Sequence, residues 1–400
     1  MARTKALPVD TKVLLDYFLR LPRRFQVAIV AIAAVGCLLY FSGVFNKVTT
    51  PPTSPGDGQL GEMGELTPVN ADVPAGQREL FFCFWNVENL FDDKNDNRRS
   101  VDEEFDNAFA DNTELRQLKL DHLATTILKM NDGKGPDVLA CVELESVRAL
   151  ELLQGTLNAK ITDPKMKYVS LAMKNLDAGR HIAPGVLSRY PLSQQRTKMI
   201  GSRLRILETH LFINNQDLCI VASHWTSKLK QMGGGNGEEG REKYARGIYG
   251  VFKQMVEKNP DADFLLCGDF NDTPDSEEVA DVLHGTDDVR KVKAETTNPY
   301  LLDLLAGKSP DKFGTIFYGG KPLIYDHICV SRGMLDEVGW SCDPTSVQTY
   351  TDGLRRTGAT RREPWRFGSP GQKLRDSERG FSDHFPVTVK LTVRTPTPKQ

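Results

Sequence analysis

The sequence predicts an α/β fold preceded by one N-terminal transmembrane helix. Short apolar runs of strand-forming residues alternate with helix-like segments from residue 79 to residue 394, and no internal repeat divides this stretch. The 400-residue chain is 40% hydrophobic and 26% charged, a balance typical of a globular protein with a sizeable core. Residues 25–45 stand apart from that pattern, because they run through 21 positions without a charge.

The N-terminal segment is predicted to anchor the chain in the cytoplasmic membrane. Residues 25–45, FQVAIVAIAAVGCLLYFSGVF, match the roughly 20 apolar residues with which a helix crosses a bilayer. Residues 1–24 carry six basic and two acidic side chains, so the positive-inside rule keeps this tail in the cytoplasm and exports the rest. A cleaved signal peptide is the alternative, but its apolar stretch usually has about 7 to 15 residues and ends at a small-residue cleavage site. We interpret the segment as an uncleaved, single-pass signal anchor with an extracytoplasmic domain.

The remaining boundaries follow from composition. Residues 46–78 are rich in Pro, Gly and Thr and are predicted to be a flexible linker, and residues 395–400 a disordered tail. Residues 79–394 then form the folded domain. Beyond residue 46 the chain holds 45 basic and 51 acidic residues, which excludes an overall basic clamp for nucleic acid.

Five cysteines lie inside apolar runs that we predict to be buried strands. The runs have four to six residues of strand-forming type, in which cysteine commonly serves as a small core residue. These core positions do not favour a disulfide scaffold. No CxxC spacing occurs, so we do not expect a cysteine-based metal site. The cysteines are Cys83, Cys141, Cys219, Cys267 and Cys329.

Helices are predicted between these strands at two places in particular. Residues 112–130 place apolar side chains along one side, and Asn112 is a suitable N-cap. Residues 239–258 show a similar apolar period.

Polar side chains follow or closely border the predicted strands. Carboxylates and an amide oxygen without a thiolate suit a hard cation, Mg²⁺ or Mn²⁺, and two histidines remain for proton handling and charge stabilisation. The pattern therefore predicts metal-assisted hydrolysis of a phosphoester. The residues are Asn86, Glu88, Glu143, His224, Asp269, Asn271, Asp326, Asp383 and His384.

Seven short motifs in this order resemble the endonuclease/exonuclease/phosphatase family, which includes deoxyribonuclease-like and abasic-site nucleases. They are WNVENLF, VLACVELE, GVLSRYPL, VASHW, CGDFND, YDHICVS and FSDHFPV, spread over residues 81–390. The resemblance implies a four-layer α/β/β/α sandwich with two packed mixed β-sheets. It also implies an active site where the strand ends converge.

The resemblance assigns a metal environment and one phosphate contact. Glu143 resembles the principal ligand, and Asn86, Glu88 and Asp383 complete or support the environment of the ion. Arg180 occupies a position where related nucleases place an arginine that contacts phosphate.

The resemblance also assigns the catalytic groups. Asp269 resembles the residue that orients or deprotonates the attacking water, and Asn271 helps to align that water, since residues two apart on an extended strand face the same side. His384 and His224 resemble the pair that flanks the scissile phosphate. Asp326 would hold His384 in its tautomer. No carboxylate partner for His224 can be identified from the sequence.

Three function classes are compatible with these residues. The first is a membrane-tethered, metal-dependent nuclease or phosphodiesterase acting on nucleic acid or another phosphodiester. The second is a phosphatase or lipid phosphodiesterase, although His327 replaces the arginine expected after Asp326 in the inositol-phosphatase branch. The third is an inactive binding module, which ranks last because no catalytic position is missing.

A basic segment bears on the choice of substrate. Residues 354–379 carry eight basic and three acidic side chains just before Asp383. We expect this segment either to overhang the site, with Arg361, Arg362 and Trp365 contacting a polyanionic strand, or to be a solvated insertion.

Overall fold

The computed structural model describes residues 76–98, 102–228, 237–356, 358 and 362–394. The predicted anchor at 25–45, most of the predicted linker and the predicted tail lie outside these residues. No helix in the described part of the chain is both long and apolar enough to span a bilayer.

The first sheet has six strands in the order β14-β15-β1-β2-β4-β3. β1 and β2 are parallel and the other neighbours are antiparallel, so the sheet is mixed. Its strands are β1 (Gln77–Leu90), β2 (Val138–Leu144), β3 (Ser170–Met173), β4 (Ala183–Ser188), β14 (Trp340–Thr349) and β15 (Val387–Arg394).

The second sheet has seven strands in the order β5-β6-β7-β8-β13-β10-β9. It is also mixed, because β7 runs parallel to β8 and β9 to β10. Its strands are β5 (Lys198–Met199), β6 (Ile206–Ile213), β7 (Gln216–His224), β8 (Phe264–Asp269), β9 (Gly285–Thr286), β10 (Leu301–Asp303) and β13 (Asp326–Val330). A separate hairpin joins β11 (Ile316–Tyr318) to β12 (Lys321–Leu323).

Helices cover the outer faces of the two sheets. They are α1 (Glu103–Asp111), α2 (Thr113–Gly133), α3 (Val147–Lys160), α4 (Glu238–Lys258), α5 (Val289–Ala294) and α6 (Pro310–Phe313). Short 3-10 segments at Pro164–Met166, Gly333–Leu335 and Asp376–Glu378 and a π turn at Glu278–Val282 complete the regular structure of the described residues.

The packing produces the layered fold that the sequence predicts. Alternate residues of both sheets, such as Phe84 of β1 and Ile220 of β7, meet in one apolar core between the sheets. Leu123 of α2 packs on the outer face of the first sheet, and Phe252 of α4 packs on the outer face of the second. Two packed mixed sheets with helices outside them are thus confirmed.

The predicted strands and helices are largely confirmed. All five cysteines of the apolar runs are buried on β1, β2, β7, β8 and β13, and none forms a disulfide within the described residues. Asn112 caps α2, because its side chain accepts a hydrogen bond from the backbone N–H of Leu115 at 2.9 Å. Regular helical geometry in α2 ends before Met130, since Asn131 and Asp132 adopt left-handed angles.

Candidate active site

Strand register gathers the predicted catalytic residues at one edge of the second sheet. His224 at the end of β7 pairs with Asp269 at the end of β8, and Asp269 pairs with Asp326 at the start of the antiparallel β13. In the first sheet, Asn86 pairs with Val142, the neighbour of Glu143. The Asn86 side-chain amide donates to Glu143 Oε1 at 3.2 Å and to Asp269 Oδ2 at 3.0 Å, and so connects the two sheets.

Left-handed backbone angles set the direction of several site residues. Glu88, Glu143 and Asn271 have φ of 52°, 66° and 52°. The β1–β2 pairing is irregular beyond Asn86, which releases Glu88 and Glu143 from the alternation of a flat strand. The sequence gives no sign of these turns.

The geometry of Asn271 corrects one premise of the sequence prediction. β8 ends at Asp269, so the expectation that Asp269 and Asn271 face the same side of one extended strand is wrong. Asn271 instead lies in a turn, where its backbone N–H donates to Asp269 Oδ1 at 2.8 Å. Its side-chain amide donates to the carbonyl of Trp225 at 3.2 Å. Both residues nonetheless border the same cavity.

His384 is held by a buried carboxylate. Its Nδ1 lies 2.6 Å from Asp326 Oδ2, and its Nε2 lies 3.7 Å from Asp269 Oδ2. Burial alone would lower the pKa of His384, but the charges of Asp326 and Asp269 outweigh it and raise the pKa well above its usual range. His384 therefore carries a positive charge at neutral pH and directs an N–H into the site.

His224 has the opposite character, and its partner is an arginine. Burial, followed by the charges of Arg205, Arg180 and His384, lowers the pKa of His224 well below its usual range. Arg205 Nη1 lies 3.2 Å from Nδ1 of His224, and an arginine can only donate. The neutral imidazole must therefore accept at Nδ1 and carry its proton on Nε2, which faces Glu143 and Asp269 at 3.8 Å and 3.7 Å.

Asp269 lies between these two histidines. Its Oδ1 accepts from the backbone of Asn271, and its Oδ2 accepts from Asn86. Burial raises the pKa of Asp269 to about 7, although the charge of His384 opposes that shift. A carboxylate in this state can accept a proton near neutral pH.

The surroundings of Glu143 fit a divalent cation. Its carboxylate accepts from the Asn86 amide and, at 2.9 Å, from the backbone N–H of Asn89. The side chain is only 14% exposed, yet within the described residues it forms no ion pair with lysine or arginine. Lys119 and Arg366 act on this carboxylate only from a distance. A cation in direct contact would stabilise it further, and the nearby oxygen donors are of the type that Mg²⁺ prefers.

Glu88 and Asp383 lie beside this position but are joined by an arginine. Glu88 accepts from Arg366 Nε at 2.9 Å and from the backbone of Phe367 at 2.8 Å. Arg366 Nη2 also lies 3.2 Å from Asp383. The four predicted metal residues therefore divide into Glu143 with Asn86, and Glu88 with Asp383 around a guanidinium group.

A cavity of about 690 Å³ opens over these groups. Arg180 lines it and is steadied by Asp102 Oδ1 at 2.6 Å and by Asn89 Oδ1 at 2.6 Å. The hairpin of β11 and β12 forms part of the wall, and Tyr318 at its tip is 43% exposed. The lysine and arginine side chains that line the cavity are Arg180, Arg203, Arg205, Lys228 and Arg366.

The basic segment contributes Glu363, Pro364 and Arg366 to the wall of the cavity, rather than the residues expected. Trp365 does not line the cavity; its indole N–H donates to the carbonyl of Glu378 at 3.0 Å and its ring packs edge-on against Phe381. Arg362 donates to the carbonyls of Gly314 and Thr349, at 3.1 Å and 3.4 Å. Arg361 lies outside the described residues.

Several residues of the site are not identifiable from the sequence motifs. Arg205 lies just before β6, outside any of the seven motifs, and its partner Tyr244 comes from α4. Arg203 and Tyr318 likewise follow no motif. The two arginines at 203 and 205 stand directly before an apolar strand, and this is the one sequence signal that points to them. No such signal points to the two tyrosines.

One family profile and several solved structures are similar to this chain. The sequence profile described as the Endonuclease/Exonuclease/phosphatase family matches residues 81–393. Similar solved structures include Danio rerio TDP2 humanized by 14 mutations, with 17% identity over 78% of this chain and 98% of that chain at a TM-score of 0.43.

Two bacterial structures are similar to a comparable degree. Staphylococcus aureus beta toxin has 15% identity over 78% of this chain and 99% of that chain, with a TM-score of 0.46. The Bacteroides thetaiotaomicron mannosyl-6-phosphatase has 13% identity over 78% and 99%, with a TM-score of 0.44. No curated protein sequence matches the chain.

Proposed function

The chain belongs to the endonuclease/exonuclease/phosphatase family and is a phosphoric ester hydrolase, and from this premise we propose that it is a metal-dependent nuclease. Members of this family use a divalent metal ion. The proposed substrate is a single-stranded or locally opened nucleic acid, and the proposed ion is Mg²⁺ or Mn²⁺.

The exposed aromatic ring of Tyr318 among arginines carries the choice of substrate. A bridge between Ile316 and His384 ties the hairpin to the catalytic histidine, so the tyrosine is held near the reacting phosphate. Arg180 and Arg203 offer positive charge to neighbouring phosphates. Stacking of a base on an aromatic ring beside cations is a common means of binding single strands. A sugar monophosphate carries no base to stack on this ring.

Glu143 and Asn86 would hold the metal ion, with Asp383 and Glu88 balancing charge beside it. When bound, the ion withdraws electron density from the phosphoryl group and neutralises its charge. Arg366 would hold Glu88 and Asp383 apart in fixed positions, because it contacts both carboxylates.

The hydrolytic step uses the two histidines and Asp269. Asp269 accepts a proton from the attacking water while the water oxygen bonds to phosphorus. The bond from phosphorus to the leaving oxygen breaks, and that oxygen departs with the bonding electron pair and takes a proton from solvent. His384, positively charged, and His224, neutral, each direct an Nε2–H toward the phosphoryl oxygens, where negative charge develops. Asp326 fixes the orientation of the charged His384 ring. Arg205 keeps the neutral His224 ring in the tautomer that presents its Nε2 proton.

Nicking of supercoiled plasmid by the full chain in detergent tests this function. We expect cleavage with Mg²⁺ that is abolished by a chelator and restored by added ion. Glu143→Gln should lower the rate at least about 100-fold, because it removes the charge that holds the cation. The matched control is Glu151→Gln on the exposed side of α3, which should cleave like the parent.

The same preparation separates the alternative substrates. Single-stranded DNA and RNA oligonucleotides, a sugar monophosphate and phospholipid vesicles are offered in parallel under one metal concentration. Faster turnover of the monophosphate or of the lipid than of every nucleic acid would contradict the nuclease proposal. It would instead favour a phosphatase or a lipid phosphodiesterase.

We also propose that residues 25–45 anchor the enzyme in the cytoplasmic membrane with its catalytic domain outside. The charge-free run and the basic tail before it support this placement. Protease added to intact spheroplasts should then degrade the domain, while alkaline washing should leave the chain in the membrane. Protection from protease, or release by the wash, would contradict the proposed anchor.

A further inference from the structure

A second group of ligand-type side chains lies on the outer face of the second sheet. His210 of β6 pairs directly with Cys219 of β7, and Glu208 lies two residues before His210, so all three face the same side. One donor atom from each lies within 4.8 Å of the other two. Cys219 precedes His224 by five residues on β7, which separates this group from the active site by about 16 Å.

His210 lies between two carboxylates, and its contact with Asp217 is of the kind that orients a metal-binding imidazole. Its Nδ1 lies 2.8 Å from Asp217 Oδ1, and its Nε2 lies 3.4 Å from Glu208 Oε1. A carboxylate on one ring nitrogen fixes the tautomer and directs the other nitrogen toward the ion. A tetrahedral ion with oxygen and nitrogen ligands at about 2.0 to 2.1 Å holds those atoms about 3.3 to 3.4 Å apart, which matches the Glu208–His210 separation.

Glu208 supplies the second, independent sign of a ligand. The residue is only 4% exposed, and its Oε2 accepts no hydrogen bond from any described residue. Lys198 and His210 both approach the other oxygen, Oε1, whereas a buried Oε2 without a partner is costly. Glu208 and Cys219 both line a cavity of about 790 Å³, which gives an ion a route from solvent and leaves room for water as a fourth ligand.

We propose that Glu208, His210 and Cys219 form a site for a borderline-soft divalent transition metal ion, with Zn²⁺ the best match. A thiolate, an imidazole and a carboxylate together disfavour Mg²⁺ and Ca²⁺ and suit Zn²⁺ in tetrahedral geometry. The sequence contains no CxxC spacing, from which we expected no cysteine-based metal site. The proposed site does not require that spacing, because its ligands come from two paired strands rather than from one loop.

Binding exchanges protons for the ion. The Cys219 thiol loses its proton to solvent when its sulfur bonds to the metal, and His210 releases the proton on Nε2. Lys198, whose Nζ lies 2.9 Å from Glu208 Oε1, must move away from the carboxylate. Its side chain is 61% exposed, so it can turn into solvent.

Cobalt titration of the chelator-treated full chain, purified in detergent, tests the proposal. We expect one equivalent of Co²⁺ to produce the near-ultraviolet charge-transfer absorption of a thiolate ligand, and Zn²⁺ to displace it. The active site cannot produce this absorption, because no cysteine lines its cavity. The signal therefore reports the second site even if the proposed nuclease activity is wrong.

Variants assign the absorption to the proposed ligands. Cys219→Ser should abolish it, whereas Cys329→Ser, a matched change of a buried cysteine in the same apolar layer, should keep it. Asp217→Asn should weaken Co²⁺ binding about 10- to 100-fold. Lys198→Gln should tighten binding about two- to fivefold, because the competing ammonium group is lost.

The outcomes that overturn the proposal are equally specific. An absorption that persists in Cys219→Ser would assign the thiolate elsewhere. If circular dichroism shows that Cys219→Ser does not fold, the substitution of the exposed residue, Lys198→Gln, still tests whether the site binds Co²⁺. Absence of the absorption in both the parent chain and Lys198→Gln would refute the site.

Discussion

Replacement of Arg205 by methionine should impair catalysis without disturbing the metal ligands. Methionine keeps much of the length of the side chain but removes every donor. In the parent chain, Nη1 lies 3.2 Å from Nδ1 of His224, and Nη2 donates to the Trp225 carbonyl at 2.8 Å. Without that donor, His224 is free to place its proton on Nδ1, so only His384 still directs an N–H at the phosphoryl oxygens.

The expected magnitude follows from the lost hydrogen bond. A bond from a charged donor contributes about 1.5 to 3 kcal/mol. If the transition state depends on the tautomer that Arg205 selects, kcat falls about 10- to 160-fold, since each 1.36 kcal/mol is tenfold in rate. KM for a small diester should change much less, because Arg205 acts on His224 rather than directly on a remote part of the substrate.

Steady-state hydrolysis of bis(4-nitrophenyl) phosphate with Mg²⁺ measures this loss, and ¹⁵N NMR of the histidine ring reports its tautomer. Arg205→Lys, which keeps one donor, should recover part of kcat. Arg246→Gln, on the exposed side of α4, should match the parent chain. The reasoning is refuted if Arg205→Met is folded, retains the Nε2–H tautomer of His224 and keeps kcat within about twofold of the parent.

Three further predictions concern substrate, packing and pH. In a filter-binding assay, Tyr318→Ala should weaken binding of a single-stranded oligonucleotide by about 1 to 3 kcal/mol but leave binding of an abasic strand of equal length unchanged. Equal losses of affinity for the two strands would exclude stacking. Gly268→Ala should lower the free energy of unfolding in urea by about 1 to 3 kcal/mol, because its Cβ would lie 2.3 Å from the Ser223 carbonyl oxygen, and an unchanged midpoint would contradict this. Burial lowers the pKa of His327, but Asp303, at 2.7 Å, outweighs burial and raises the pKa above 6.5. The stability that this ion pair contributes is therefore complete below pH 6.5 and is lost as the pH rises through the pKa of the folded state. Asp303→Asn should lower the free energy of unfolding by about 3 to 5 kcal/mol near neutral pH. In thermal unfolding, the variant should lose less stability than the parent as the pH rises, and an equal loss in both would argue against the His327–Asp303 pair.

Sequence patterns predict the framework well because its determinants are local. Apolar runs around Cys141 and Cys267 are long enough to be strands, and polar residues directly after such runs must emerge at a sheet edge. His224, Asp269 and Asp326 could therefore be placed together before any coordinates were known, and the strand register brings them into one row.

The remaining details depend on contacts that span long stretches of chain. Arg366 reaches Glu88 across 278 positions, and its side chain then occupies the space between two predicted metal residues. The partner of His224 is missed for a related reason, because an orienting group was expected to be a carboxylate whereas Arg205 serves a neutral ring. The turn at Asn271 depends on one hydrogen bond to Asp269, which residue type alone does not distinguish from an extended strand.

The left-handed angles at Glu88 and Glu143 imply a conflict between the stability of the fold and the proposed activity. For residues other than glycine, such angles cost about 1 to 2 kcal/mol each, a noticeable share of the roughly 5 to 15 kcal/mol that holds a domain folded. Glycine at either position would relieve the backbone while removing the carboxylate. Selection for thermal stability alone would therefore favour glycine at these positions, and the proposed activity gives a reason for two glutamates in unfavourable turns.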